Sequence, residues 1–250
     1  MRPPVDGIQI HLAHEADTTL VRLTGTLDVR AFPELRDTLL KCTAEQPAVV
    51  VVLVDGLRVD QNQLYSVFVQ ASMRASEWPG VPIMLVARDR ALYHRLSTLP
   101  AARFVQVHTS VRKAVKAAGS PPPRRRAETT LPALAGSSAQ ARQFVATTCA
   151  GWGVRWMTYD AAAVATELVE NTLQHTGSEP VLRLELRRRL LTVAVSDESP
   201  HPAVLTERRA DGRLRLGLLV VAQCARVWGC TPTLSGGKVT WAVLSTDARR

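Results

Sequence analysis

The sequence predicts an α/β protein built from two domains, and three observations lead to this prediction. The length of 250 residues is about 1.7 times the roughly 150 residues of an ordinary domain. Short β-branched runs, such as residues 49–54, alternate with segments whose apolar residues recur at helical spacing. A Pro/Arg-rich stretch near the middle separates two halves with unrelated patterns. The hydrophobic content of 46% and the charged content of 21% also exclude wholesale disorder.

The first half predicts a β-sheet with helices packed on it. Alternating apolar residues predict its strands, and the continuous run at residues 49–54 predicts a central strand buried on both faces. Apolar residues spaced three or four apart, such as Phe32, Leu35 and Leu39, predict its helices. The predicted order is strands 7–13 and 19–27, helix 30–44, strand 49–54, a helix through 64–73, strand 82–87, helix 90–99, strand 103–107 and a helix from residue 111.

Residues 119–129 are predicted to form an exposed, semi-rigid linker between domains at residues 5–118 and 130–246. Three consecutive prolines favour polyproline geometry, and the adjacent Arg124, Arg125 and Arg126 repel one another.

The second half predicts another layer of helices on a sheet. It is predicted to begin with a helix that Ser137 or Ser138 caps and that ends near Gly151, followed by a helix 161–175 capped by Asp160. Strands 181–186 and 190–195 follow, joined by a turn of three arginines at residues 187–189. An apolar helix 216–227 and a closing strand 239–244 complete it. A polar loop of some 15 residues follows the second strand and is long enough to be a candidate lid.

One helical turn carries the residues best suited to chemistry. Glu167 and Asn171 are four residues apart, so they lie one above the other on a helix face. An amide oxygen can bind Mg²⁺, and a carboxylate can accept a proton from an attacking hydroxyl or water. The same spacing also occurs on solvated helix faces, so the pair by itself leaves both interpretations open.

Composition narrows the classes of partner. The net charge is +9, but aromatic residues make up only 5% and do not interleave with the arginine runs, so a nucleic-acid binder is not expected. The four cysteines form no C-x-x-C pair and have no histidine at metal-ligand spacing, so a zinc site is not expected. The N-terminus lacks the apolar run of a secretory signal, and no apolar stretch approaches the ~20 residues of a membrane span. We therefore expect a cytoplasmic protein.

The first half resembles the STAS domain of anti-sigma-factor antagonists over residues 5–118. The resemblance lies in Gly25-Thr26-Leu27-Asp28, in residues 49–54 followed by Asp55-Gly56-Leu57, and in the turn Asp60-Gln61-Asn62-Gln63-Leu64. In that family the turn carries a serine that is phosphorylated, whereas this sequence has Gln61 at the matching position. The resemblance implies a docking module that lacks the acceptor.

The second half resembles the GHKL ATP-binding fold, most closely the anti-sigma regulatory factors that act as serine/threonine kinases, over residues 130–246. Four ordered motifs support it: residues 167–176, residues 195–200, Gly217-Leu218 through Trp228-Gly229, and Gly236-Gly237-Lys238. The resemblance implies a Bergerat-type α/β sandwich, a mixed sheet covered by helices, that binds ATP and Mg²⁺.

The resemblance also implies a role for each matching residue. Glu167 would be the catalytic base and Asn171 would hold Mg²⁺. Asp197 would accept a hydrogen bond from the adenine amino group, because a carboxylate accepts and that amine donates. The backbone at Gly217 and Leu218 would present N–H groups to the phosphates at a helix N-terminus. Asp197 also has a simpler interpretation as a turn residue after a strand.

Two departures from that pattern leave two functions open. Arg215-Leu216-Gly217 retains one of the family's two lid glycines, and Val239 stands where the family has a threonine. The first function is an ATP-binding partner-switching regulator, with kinase activity, that controls a sigma factor or its antagonist. The second is a docking module that sequesters partners without phosphoryl transfer. Contact between the two domains and a homodimer are further expectations.

Overall fold

A five-stranded sheet forms the centre of each of two units in the computed structural model, which describes residues 7–119, 124–201 and 217–245. The units are Met1–Pro121 and Pro122–Arg250. Within the described ranges, no helix combines the length and apolar character needed to cross a membrane. The α/β class predicted from the sequence is confirmed.

The first unit begins with an antiparallel strand pair and continues with parallel strands. Its elements are β1 (Ile8–Glu15), β2 (Thr18–Leu27), α1 (Phe32–Ala44), β3 (Val49–Val59), a 3₁₀ helix (Asn62–Tyr65), α2 (Ser66–Glu77), β4 (Ile83–Val86), α3 (Arg90–Thr98), a 3₁₀ helix (Pro100–Arg103), β5 (Val107–His108) and α4 (Val111–Ala118). The strand order is β1-β2-β3-β4-β5, and every pairing after β1–β2 is parallel. Parallel pairing follows from the helical crossovers between these strands.

β3 is the central strand because its side chains are apolar on both faces. Val49 and Val51 lie in a cluster that includes Ala114 of α4, so α4 covers that face. Val50 and Val52 point to the opposite face and have no exposed area. Burial on both sides is what a continuous β-branched run predicts for a strand inside a parallel sheet.

The second unit is a sheet with its helices on one face. Its elements are β6 (Arg124–Thr130), α5 (Ser137–Gly151), a 3₁₀ helix (Arg155–Met157), α6 (Thr158–His175), β7 (Val181–Arg187), β8 (Leu190–Asp197), α7 (Gly217–Cys224), β9 (Val227–Pro232) and β10 (Lys238–Ser245). The strand order is β6-β7-β8-β10-β9. The four pairings between these described strands are all antiparallel, where a mixed sheet was expected. Two of these pairings, β7–β8 and β9–β10, are hairpins, which join antiparallel strands, whereas β6–β7 and β8–β10 pair across longer connections.

The linker prediction is wrong for residues 124–129, which belong to β6. The three arginines were expected to repel one another and stay extended in solvent. In the strand, acidic groups offset that repulsion: Arg124 lies 3.8 Å from Glu185 of the neighbouring β7, and Arg126 lies 2.6 Å from Glu128. Residues 120–123 of the predicted linker lie outside the described residues.

Three further boundaries differ from the sequence prediction. The helix predicted to continue to residue 227 ends at Cys224, because the following residues form β9 and pair with β10. Of the strand predicted at residues 103–107, only Val107 lies in a strand, the two-residue β5, and Arg103 is the last residue of a 3₁₀ helix. Asp160 lies inside the first turn of α6 instead of capping it. The helix α7 ends early because of strand pairing with a separate segment, which the local spacing of apolar residues does not predict.

Candidate functional site

Helix α6 presents Glu167 and Asn171 at the boundary between core and solvent. Its buried side consists of Ala161, Val164, Ala165, Leu168, Val169 and Thr172. This side packs on β8 and β10 and beside α5 and α7. Glu167 and Asn171 lie beside these buried residues and are themselves half-buried. They are about one helical turn apart, which is ~6 Å along the helix axis. Both side chains therefore reach solvent from a rigid support.

The surroundings of Glu167 change its acidity. Burial raises the pKa of the Glu167 carboxyl, and the like charge of Glu170 raises it further. A carboxylate with a raised pKa is a better proton acceptor at neutral pH than an ordinary surface glutamate. The shift is in the direction that a general base requires.

Asp197 ends β8 in a fully enclosed position. Its Oδ1 accepts hydrogen bonds from the Lys238 ammonium at 2.7 Å and from the backbone N–H of Ser199 at 2.9 Å. The hydroxyl of Thr172 on α6 lies 3.4 Å from Oδ2 and 3.2 Å from the Leu168 carbonyl, so its one proton is shared between these two acceptors. The side chains of Asp197 and Lys238 are only 1% and 4% exposed. Asp197 is therefore one half of a buried ion pair, and its hydrogen bond from Ser199 is also that of a turn residue after a strand.

Strand register and a glycine bring Lys238 to Asp197. Lys238 is the first residue of β10 and lies directly opposite Asp197 in the antiparallel ladder. A Cβ on Gly237 would overlap the backbone carbonyl of Asp197, so only glycine allows the two strands this close approach. Because strand side chains alternate between faces, Val239 points away from the face that carries Asp197. The position that faces the carboxylate is thus occupied by a lysine.

Gly217 and Leu218 are the first two residues of α7. The Leu218 side chain is buried in the hydrophobic cluster with Val221 and Leu168, so a role toward phosphate would fall to its backbone N–H. The predicted lid, including Arg215 and Leu216, lies outside the described residues.

In the first unit, the turn at the position of the missing acceptor is exposed. Gln61 has an extended backbone immediately before the 3₁₀ helix, and Gln61, Asn62 and Gln63 are all exposed. Neither a glutamine nor an asparagine side chain has a hydroxyl to phosphorylate. These three exposed side chains are polar and include no phosphoacceptor.

Sequence reasoning missed Lys238 and Thr172 as parts of the site. Lys238 was noted only within the motif Gly236-Gly237-Lys238, and Thr172 only as the residue after Asn171. The alternation of strand residues could have placed Lys238 on the same face as Thr240, but the register against β8 is not readable from the sequence.

The residues expected to bind ATP and Mg²⁺ differ in how accessible they are. Glu167 and Asn171 offer hard oxygen atoms on an accessible face. Among the described residues, no group of three or more His, Cys, Asp or Glu side chains could hold a metal on its own. A cation would therefore also need oxygen atoms from a bound nucleotide. Asp197 retains acceptor capacity on Oδ2. Its enclosure beside Lys238 opposes adenine recognition.

Solved structures with a distant likeness to part of this chain include an anti-sigma factor antagonist and a variant of RsbS. No protein-family profile matches the chain, and no curated protein sequence matches it. One similar solved structure is an anti-sigma factor antagonist from Mycobacterium paratuberculosis, with 15% identity and a TM-score of 0.37, covering 46% of this chain and 96% of that one. Another is a serine-to-glutamate variant of RsbS from Moorella thermoacetica, with 19% identity and a TM-score of 0.36, covering 44% of this chain and 94% of that one. Neither likeness assigns the chain to a family.

Proposed function

We propose that this chain is a signalling regulator of the partner-switching type. Its second unit binds ATP and Mg²⁺ between α6, β8 and α7, and its first unit is a docking module. The observation that supports this best is the hydrogen bond between Thr172 and Asp197. It joins the residue after Asn171 to the end of β8, and the Lys238 ammonium brings the Gly236-Gly237-Lys238 motif to the same carboxylate.

Each residue has a distinct task in this proposal. Asn171 holds the cation through its amide oxygen, and the backbone at the start of α7 donates hydrogen bonds to phosphate oxygens. Asp197 recognises the adenine amine through a carboxylate oxygen. Glu167 takes the proton from a serine hydroxyl of a separate antagonist protein, which its raised pKa favours. The bound nucleotide supplies the phosphoryl group.

The first unit does not receive that phosphoryl group at the expected turn, because Gln61 occupies the position. It would therefore bind a partner without being switched off by phosphorylation there. Candidate partners for the whole chain are a sigma factor and a separate antagonist protein of the STAS type.

The experiment combines nucleotide titration with phosphoryl transfer on the full chain. Calorimetric titration with ATP and Mg²⁺ precedes radiolabel transfer to candidate antagonist proteins, using wild type, Glu167→Ala, Asn171→Ala and the exposed control Gln174→Ala. We expect Asn171→Ala to abolish the Mg²⁺ dependence of binding. Glu167→Ala should retain binding but lose roughly 10²- to 10⁴-fold in transfer rate. If the Glu167→Ala variant transfers the phosphoryl group as fast as the wild type, Glu167 is not the base.

A second candidate function, docking without phosphoryl transfer, is favoured by the ion pair between Lys238 and Asp197. Binding of an antagonist or sigma factor that is unaffected by nucleotide and by Glu167→Ala would select it.

A further inference from the structure

Lys238 and Asp197 form a buried ion pair at the position proposed above for adenine recognition. Lys238 and Asp197 face each other across the β8–β10 ladder, and their side chains lie on the helix-covered face of the sheet. The ammonium also approaches the backbone carbonyl of Ser199 at 3.5 Å. Lys238 thus has two acceptors in a site that excludes water from both charges.

An adenine amine and a lysine ammonium compete for the same acceptor. Both groups only donate hydrogen bonds, and a charged donor makes the stronger bond to a carboxylate. The 1% exposure of the Asp197 side chain leaves no path for a ring while Lys238 stays in place. Lys238 is the first residue of its strand and has a flexible four-carbon stem, so the ammonium can leave without disturbing the ladder.

We infer that Lys238 blocks adenine recognition at Asp197, so that a nucleotide enters only when the ammonium leaves the carboxylate. This inference rests on the proposed function, because it needs an adenine site at Asp197. It makes nucleotide binding by the second unit conditional on the position of one lysine.

The test measures the affinity of the full chain for adenosine, for ATP with Mg²⁺ and for guanosine, in wild type and Lys238→Ser. Serine removes the charge and opens space beside the carboxylate. We expect the affinity for adenosine and for ATP to rise about 10- to 100-fold, which corresponds to the free-energy contribution of one charge-assisted hydrogen bond. Guanosine carries a carbonyl where adenosine has its amine, so its affinity should not change. Lys113→Ser removes one exposed positive charge and serves as the control.

The outcomes separate this inference from the proposed function. Equal adenosine affinity in wild type and Lys238→Ser leaves the adenine site standing and overturns the blocking role. Absence of nucleotide binding in both proteins overturns both proposals. An equal gain for guanosine shows that added space alone is responsible, which also overturns the blocking role. If Lys238→Ser does not fold, Lys238→Gln keeps an N–H donor without the charge, and a folded Gln variant without any gain in adenosine affinity contradicts the inference.

Discussion

Replacing Lys238 with methionine removes one half of the buried ion pair with little change in side-chain volume. Asp197 would keep the N–H of Ser199 at 2.9 Å and the hydroxyl of Thr172 at 3.4 Å, but it would lose the ammonium at 2.7 Å. Breaking a buried pair by removing one partner costs about 3–5 kcal/mol, because the remaining charge stays buried without compensation. Since two hydrogen bonds remain, we expect a loss near the lower end, about 3 kcal/mol.

The assay is thermal unfolding of the full chain followed by circular dichroism, together with urea unfolding. For a unit of this size, a loss of about 3 kcal/mol lowers the Tm by roughly 10 °C. Glu128→Ala is the matched control, because it breaks the Arg126–Glu128 pair, which is just as short at 2.6 Å but has both side chains 42% exposed. An exposed pair contributes about 1 kcal/mol or less.

A Lys238→Met loss no larger than that of Glu128→Ala would refute the reasoning. The double variant Lys238→Met/Asp197→Leu supplies a second check, because replacing both charges by apolar groups should recover most of the lost stability.

Three other changes test separate features of the structure. Glu167→Gln should raise the Tm at pH 7 and leave it unchanged below about pH 4. The pKa of Glu167 is higher in the folded state than in the unfolded state, so the protonated carboxyl stabilises the fold at low pH. That stability is lost as the pH rises through the pKa of the folded state, and glutamine, which stays neutral, does not lose it. Gly229→Ala should cost about 1–3 kcal/mol and shift tryptophan emission, since the new Cβ would lie 2.7 Å from the Trp241 ring. Burial raises the pKa of Cys42 to about 12, so at pH 8 a thiol reagent should modify it only after unfolding.

A Tm difference between Glu167→Gln and wild type that grows toward low pH has the wrong sign. Gly151→Ala has open space around its new Cβ and should be tolerated, so an equal loss there would show that crowding at Trp241 is not the cause. Cys230 is partly exposed and should react in the folded protein; a similar rate for Cys42 contradicts its burial.

The parts of the fold predicted correctly are those governed by neighbouring residues. The β-branched run of β3 predicts a doubly buried strand, and the helical spacing along α6 predicts which side chains face the core. The arginine turn between β7 and β8 is also a local feature, and Arg188 there has a positive φ of 53°. Such features depend on periodicity and backbone preference, which any window of sequence contains.

The errors concern pairing between distant segments. Residues 124–129 have the composition of a charged linker, but they pair with β7, which carries Glu185. Val227 was predicted to be the last residue of an apolar helix, but pairing with β10 makes it the first residue of β9. Backbone pairing and burial outweigh local propensity in such segments, because β preference is set by neighbours in space.

The sequence by itself determined that Glu167 and Asn171 stand together, because helix geometry places residues four apart on one face. Only the tertiary structure decided what surrounds Asp197: Thr172 reaches it from 25 residues away and Lys238 from 41 residues away. Those contacts depend on the packing of α6 against β8 and on the register of β10. A shift of one residue in that register would turn Lys238 to the other face of the sheet and leave the carboxylate without its cation.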